Sequence, residues 1–255
     1  MGVSNIKNGV VYPTKNFGNV EVLEYIDKYN IVIKFLNTST SIKVTAAALR
    51  EGTCVDHNVP SFLGVGFIGY GLYSTRSECK TKKSRAYEYW SRMLKRCYST
   101  KSPDYCDYGA KGVTVCRKWH NFQNFAEWFY AQPNHDKVGY HLDKDLTILG
   151  NTVYCPEACE IIPSCINTMK LLTFSEKFGR TTSGKWRYTL FDTELPSRSF
   201  DTKQECAREY LTDKRKYMLN KLTEQYTLGN ISDSFYNNTL KIIELLTQKE
   251  RQIYD

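Results

Sequence analysis

The segment "YHLDKD", residues 140–145, carries His141, Asp143 and Asp145 at alternate positions. In an extended strand successive side chains point to opposite faces, so these three would share one face. An imidazole and two carboxylates side by side can hold a divalent cation and activate water for hydrolysis. The same pattern also suits a solvated strand edge, and on spacing alone both readings stand.

Elsewhere the residues with chemical potential are mostly cations. From Arg76 to Lys118 there are twelve lysines and arginines against Glu78, Glu88, Asp104 and Asp107. Twelve minus four is +8, equal to the formal net charge of the whole chain. A positive field concentrated in this way favours polyanions, of which nucleic acid is the commonest. Arg85, Arg92, Lys95 and Arg96 surround the apolar stripe of a helical pattern, with Lys111, Arg117 and Lys118 downstream.

The other chemical motifs lead to bland expectations. Nine cysteines, with no C-x-x-C spacing, argue for buried free thiols over a disulfide framework or a structural zinc site; the tightest group is Cys155, Cys159 and Cys165. Gly64, Gly66 and Gly69 form a G-x-G-x-x-G, but no helical pattern follows, so a glycine-rich connector is expected and not a dinucleotide site. No apolar run reaches the ~18–20 residues of a membrane span. The first residues lack a signal-peptide pattern, so a cytoplasmic protein is expected.

The elements that must position these groups read as α+β. Residues 1–72 form a small, barrel-like β module, with "NVEVLEYI" and "YNIVIKFL" as alternating strands, and 73–83 form a linker. "SRAYEYWSRMLKRCY" predicts a helix capped by Ser84 with Tyr87, Trp90, Leu94 and Cys97 inward. Trp119, Phe122, Phe125, Trp128 and Phe129 are assigned to a core. "YHLDKDLTIL" predicts a first strand, "VYCPEACEIIP" a second extended stretch, and "SCINTMKLL" a helix capped by Ser164. Three short strands follow in "TFSEKFGR", "GKWRYTLFD" and "LPSRSF", then a helix capped by Asp201 with Glu205 as reciprocal acid. A helical tail occupies 221–255, and its last amphipathic helix, over 232–255, is a candidate for docking or for homodimer formation.

Many spacings in residues 84–171 resemble a group of bacteriophage HNH-type (His-Me finger) endonuclease-like proteins. The matching pieces are W-x-x-M-x-x-R-C at Trp90, Met93, Arg96 and Cys97, and Y-x-x-Y-G-x-x-G-V-x-V-C-x-x-W from Tyr105 to Trp119. L-D-x-D at Leu142–Asp145, Y-x-P-x-x-C at Tyr154–Cys159 and the terminal Asn167 complete the set. The resemblance implies a ββα-metal domain that hydrolyses phosphodiesters with one divalent ion. Asp143 and Asn167, with Asp145 as a further donor, would hold Mg²⁺ or Mn²⁺, because oxygen donors suit these ions better than zinc. In such sites a histidine directly follows the strand carboxylate. Lys144 stands there, and a lysine is a poor base near neutral pH. His141, two residues earlier and roughly 6.5–7 Å along a strand, is the substitute base.

Residues 172–220 resemble the three-stranded-sheet-plus-helix DNA-binding domain of plant ethylene-response factors. That likeness implies that Lys185, Arg187 and Arg198, with Trp186, face duplex DNA. The leading expectation is therefore a phage-encoded, metal-dependent DNA endonuclease of a bacterial host's cytoplasm. A non-catalytic DNA-binding or interference protein on a degenerate nuclease fold is the alternative. The third is a protein that meets RNA, a ribosome or a host protein.

Overall fold

The computed structural model describes residues 6–148, 150–169, 178–190 and 198–254. They form an α+β protein of small sheets and helices, divided into two compact units. The first comprises residues 6–111 and 115–128, the second 112–114 and 129–254.

The first unit opens with an antiparallel sheet in sequential order, β1 (Val11–Pro13), β2 (Asn19–Asp27), β3 (Asn30–Phe35) and β4 (Ser41–Val44). Alternation places Val20 and Val22 of β2 with Ile31, Ile33 and Phe35 of β3 on one fully buried face. The short α1 (Ala46–Arg50), capped by the Thr45 hydroxyl at 3.2 Å from the Ala48 amide, covers that face with Leu49. Each such side chain stabilises by about 1.5–3 kcal/mol, which accounts for the integrity of so small a sheet.

Helix α2 (Arg85–Tyr98) starts at Ser84, whose hydroxyl accepts the Tyr87 amide at 3.3 Å. Trp90, Met93, Leu94 and Cys97 are buried. The Trp90 indole N–H donates to the Trp119 carbonyl at 2.7 Å, and Phe122 packs edge-on against Trp90. Short turns, β5 (Thr114–Val115) and α3 (Phe122–Tyr130) follow. Trp119, Phe122, Phe125 and Phe129 are all fully buried, while Trp128, expected in the same core, is half-buried with its ring 4.6 Å from that of Trp119. The Gly-rich stretch is not a loose connector. A Cβ on Gly66 would lie 2.6 Å from Leu94 Cδ1 and 2.9 Å from Trp90 Cζ2, so only glycine lets this arm lie against α2. Phe67 exchanges backbone hydrogen bonds with His120 and Phe122, each at 2.9 Å.

In the second unit β6 (Tyr140–Asp143) pairs antiparallel with β8 (Glu160–Pro163), and β7 (Val153–Tyr154) lies in the loop between them. α4 (Ser164–Asn167) follows directly. Its N-cap is Pro163; Ser164 is the first helical residue, because its amide continues the ladder to the Gly139 carbonyl at 2.9 Å. β9 (Phe178–Arg180) and β10 (Trp186–Tyr188) form an antiparallel pair. The third expected strand is present as a bridge between Phe200 and Trp186, with two backbone bonds of 2.8 Å; residues 170–177 and 191–197 lie outside the described residues.

Helix α5 (Lys203–Thr227) begins one residue later than the expected Asp201 cap. Thr202 is the cap, because it alone places Glu205 three residues on, where the capping box closes at 3.1 and 3.3 Å. α5 runs unbroken past the small sheet and pairs with α6 (Asp233–Tyr254). One core joins Leu146, Ile162, Ile166 and Met169 of the hairpin region to Met218 and Leu222 of α5 and Ile231, Phe235 and Ile243 beside and on α6. Polar ties reinforce it: Glu160 accepts the Ser232 amide at 2.8 Å and hydroxyl at 2.6 Å, and the Thr239 hydroxyl donates to the Leu146 carbonyl at 3.3 Å. The helix pair is thus a wall of the hairpin's core.

Candidate functional site

β6 ends at Asp143, four residues into the expected strand, and the reason is local. The Asp143 carboxylate turns back and one of its oxygens accepts the amides of Asp145 at 3.0 Å and Leu146 at 2.9 Å. Those amides are removed from any ladder, so Asp145 leaves the strand face that it was expected to share. Asp143 is 5% exposed. Burial raises its pKa to about 6, against the two amide bonds, which pull it down.

Lys144 is buried too. Its ammonium contacts the Asp145 carboxylate, reaches the Asn151 carbonyl at 3.3 Å and sits 5.7 Å from the Tyr154 ring centroid. Asn151 closes the loop from the far side. Its amide donates to the Lys144 carbonyl at 2.9 Å and the Val153 carbonyl at 2.8 Å, and its oxygen accepts the Val153 amide at 3.0 Å. Asp143, Lys144, Asn151 and Val153 are therefore joined in a polar clasp, with a buried cation against the partly exposed Asp145.

His141, opposite Ile162 in the ladder, is exposed, and Asn167 is exposed at the end of α4. Among the described residues no hydrogen bond links either of them to Asp143. Nor is any group of three or more His, Cys, Asp or Glu side chains placed to hold a metal ion. The donor set does not fit Mg²⁺ or Mn²⁺. Asp143 is buried with one oxygen already taken by two amides, Asp145 is matched by an ammonium, and that buried positive charge repels a dication. Spacing along the chain suggests a metal site or a solvated edge here and does not show Lys144 and Asn151 bonded to this segment. Lysine is so seldom buried that its position in the chain gave no cue.

The cationic residues divide by what they already touch. In the first unit Arg92, Lys95, Arg117 and Lys118 are exposed and make no ion pair among the described residues. Arg85 is half-buried; the Arg96 guanidinium lies 5.0 Å from the Tyr108 ring; Lys111 pairs with Asp107 at 2.7 Å. In the second unit Lys185 pairs with Asp201 at 3.2 Å and Arg198 with Glu209. Exposed pairs of this sort are worth about 0–1 kcal/mol, so a phosphate can replace the carboxylate at little cost.

Arg187 is exposed on β10 and lines a groove of about 700 Å³ with Arg180, Thr181, Thr182 and Thr189. Arg180 was not anticipated. It faces Trp186 across the ladder, its guanidinium 5.2 Å from the indole, which no spacing along the chain could show. Guanidinium and hydroxyl groups around one groove suit phosphate oxygens.

No helix among the described residues is long and apolar enough to cross a membrane. Compared with known proteins, the chain matches no family model, no curated sequence and no solved structure.

Proposed function

We propose that this protein binds duplex DNA and does not cleave it: a DNA-binding or interference protein on a nuclease-like ββα framework. The observation that carries the reading is the face of α2, where Arg92 and Lys95 stand exposed and without ion pairs among the described residues, while the opposite stripe is fully buried. Such a face contacts phosphates without cost to the core. The groove of Arg180 and Arg187 supports a second contact of the same kind, in keeping with the sheet of a three-stranded DNA-binding module. The clasp around Asp143 argues against hydrolysis, since the Asp143 carboxylate is buried and holds two backbone amides while Lys144 pairs with Asp145.

The test is a binding titration of a labelled duplex over a range of salt, run beside a plasmid-nicking assay with Mg²⁺ and Mn²⁺. Steep salt dependence without nicking is the expected result, with log K falling by about 0.9 per phosphate contact per decade of salt. Metal-dependent nicking that disappears in His141→Ala would replace this reading with the endonuclease. The observation on that side is that His141 alone of the polar strand residues is open to solvent.

A further inference from the structure

Residues 74–84 precede α2 in the first unit and form a folded hairpin where the sequence suggests a tether. Arg76 and Lys83 face each other in an antiparallel bridge. The Ser77 amide donates to the Lys82 carbonyl at 3.0 Å and the Lys80 amide to the Ser77 carbonyl at 2.8 Å, with Lys80 itself at φ 56°. The Ser77 hydroxyl adds a bond to the Lys82 carbonyl at 3.1 Å. At the base the Ser84 amide donates to the Thr75 carbonyl at 2.9 Å, and the same Ser84 caps α2. Hairpin and helix thus share a residue that is bonded in both directions. The base of the turn and the cap of the helix therefore meet at one buried residue.

Arg76, Lys80, Lys82 and Lys83 are all exposed on this turn, with Glu78 the one acid among them. None of the four makes an ion pair among the described residues; Lys83 lies 5.6 Å from the Tyr87 ring. Four cations against one acid leave so short a turn with net positive charge, and no ion pair among the described residues relieves it. A polyanion relieves it.

We infer that hairpin 74–84 is a second phosphate-gripping element, clamped at the N-terminal end of α2 and acting on the same duplex. The inference rests on the DNA-binding reading above. Lysines supply compact, rotatable charges and not a planar fork, so the contact is to backbone and indifferent to base sequence.

The experiment uses the full chain and the triple variant Lys80→Gln/Lys82→Gln/Lys83→Gln, titrated against two labelled duplexes of unrelated sequence at several salt concentrations. We expect the slope of log K against log salt to fall by about 2–3 in magnitude, and affinity near ~0.1 M salt to drop at least ~tenfold, equally on both duplexes. The melting temperature should not move, because all three side chains are exposed. A slope unchanged in the triple variant, while Arg92→Gln/Lys95→Gln still loses affinity, overturns the hairpin and leaves the DNA reading standing. A wild-type chain that ignores both duplexes, or prefers structured RNA to them, overturns the DNA reading and the hairpin with it.

Discussion

The clasp at 143–153 and the face of α2 are both rich in charge, yet they use it in opposite ways. In the clasp Asp143 serves two amides, Lys144 serves Asp145 and Asn151, and both side chains are shut away from water. On α2 the charges of Arg92 and Lys95 sit over a stripe of Trp90, Leu94 and Cys97 and are spent on nothing internal. Charge turned inward specifies a loop; charge left unmatched at the surface is available to a partner. In the proposed reading the partner is met by the cations, while the motif around Asp143 fastens a loop.

Substitutions should separate the two regions cleanly, and the largest effect belongs to the exposed cations of α2 together with Arg117 and Lys118. Arg92→Gln/Lys95→Gln with Arg117→Gln/Lys118→Gln should weaken duplex binding by about 100-fold or more near 0.1 M salt, with urea unfolding unchanged, since several phosphate contacts vanish together. Next comes Asp143→Ala, which strands two amides and should cost about 2–3 kcal/mol in urea unfolding while leaving the salt slope of binding intact. A slope that falls with Asp143→Ala, or a stability loss with the α2 variant, would break the distinction.

Within the first unit Gly66→Ala should destabilise by about 1–2 kcal/mol, because the new methyl meets the Leu94 and Trp90 side chains. Thermal unfolding reads this directly.

A smaller effect follows from pH. The Asp143 pKa stands at about 6 when folded, above the ordinary 3.8 that it regains on unfolding. A raised folded value means that the native state holds its proton more tightly. That contribution is complete below the unfolded pKa and is lost as pH rises through about 6. Wild type should therefore lose about 1–3 kcal/mol across this window relative to Asp143→Asn, which keeps an acceptor for both amides but carries no titrating proton. Urea unfolding of both at about pH 4.5 and 7.5 measures it. The smallest effect is none: Mg²⁺ or Mn²⁺ should not shift the melting temperature, since Asp143 is buried and the Lys144 ammonium lies against Asp145. A rise on adding metal would reopen the site.

Much of the scaffold was legible residue by residue. Period-two alternation in β3 and in β2 as far as Val22, the Ser84 cap and the inward stripe of α2 are local patterns that tertiary context did not override. The strand end at Asp143 was not, because alternation continues through Asp145 while the carboxylate's bonds to the next amides stop the ladder. The cap at Thr202 was missed by one residue although its signal, Glu205 three positions on, was present. Gly66 and hairpin 74–84 were read as linker because glycine and lysine are locally loop-like, and only neighbours distant in sequence reveal the packing.

What the sequence determined by itself was therefore the class of several longer elements, much of the aromatic core and the concentration of positive charge between Arg76 and Lys118. These depend on composition and on periods of two and 3.6, which a chain carries without folding. What only the tertiary structure decided was which charges are spoken for. Lys144 becomes an internal cation, Arg180 meets Trp186 across a ladder, and α5 with α6 walls the hairpin, through contacts between residues far apart along the chain or by burial that no local pattern encodes. Whether a charged side chain is a fastening or a contact depends on its desolvation and its partners, and both exist only once the chain has closed around it.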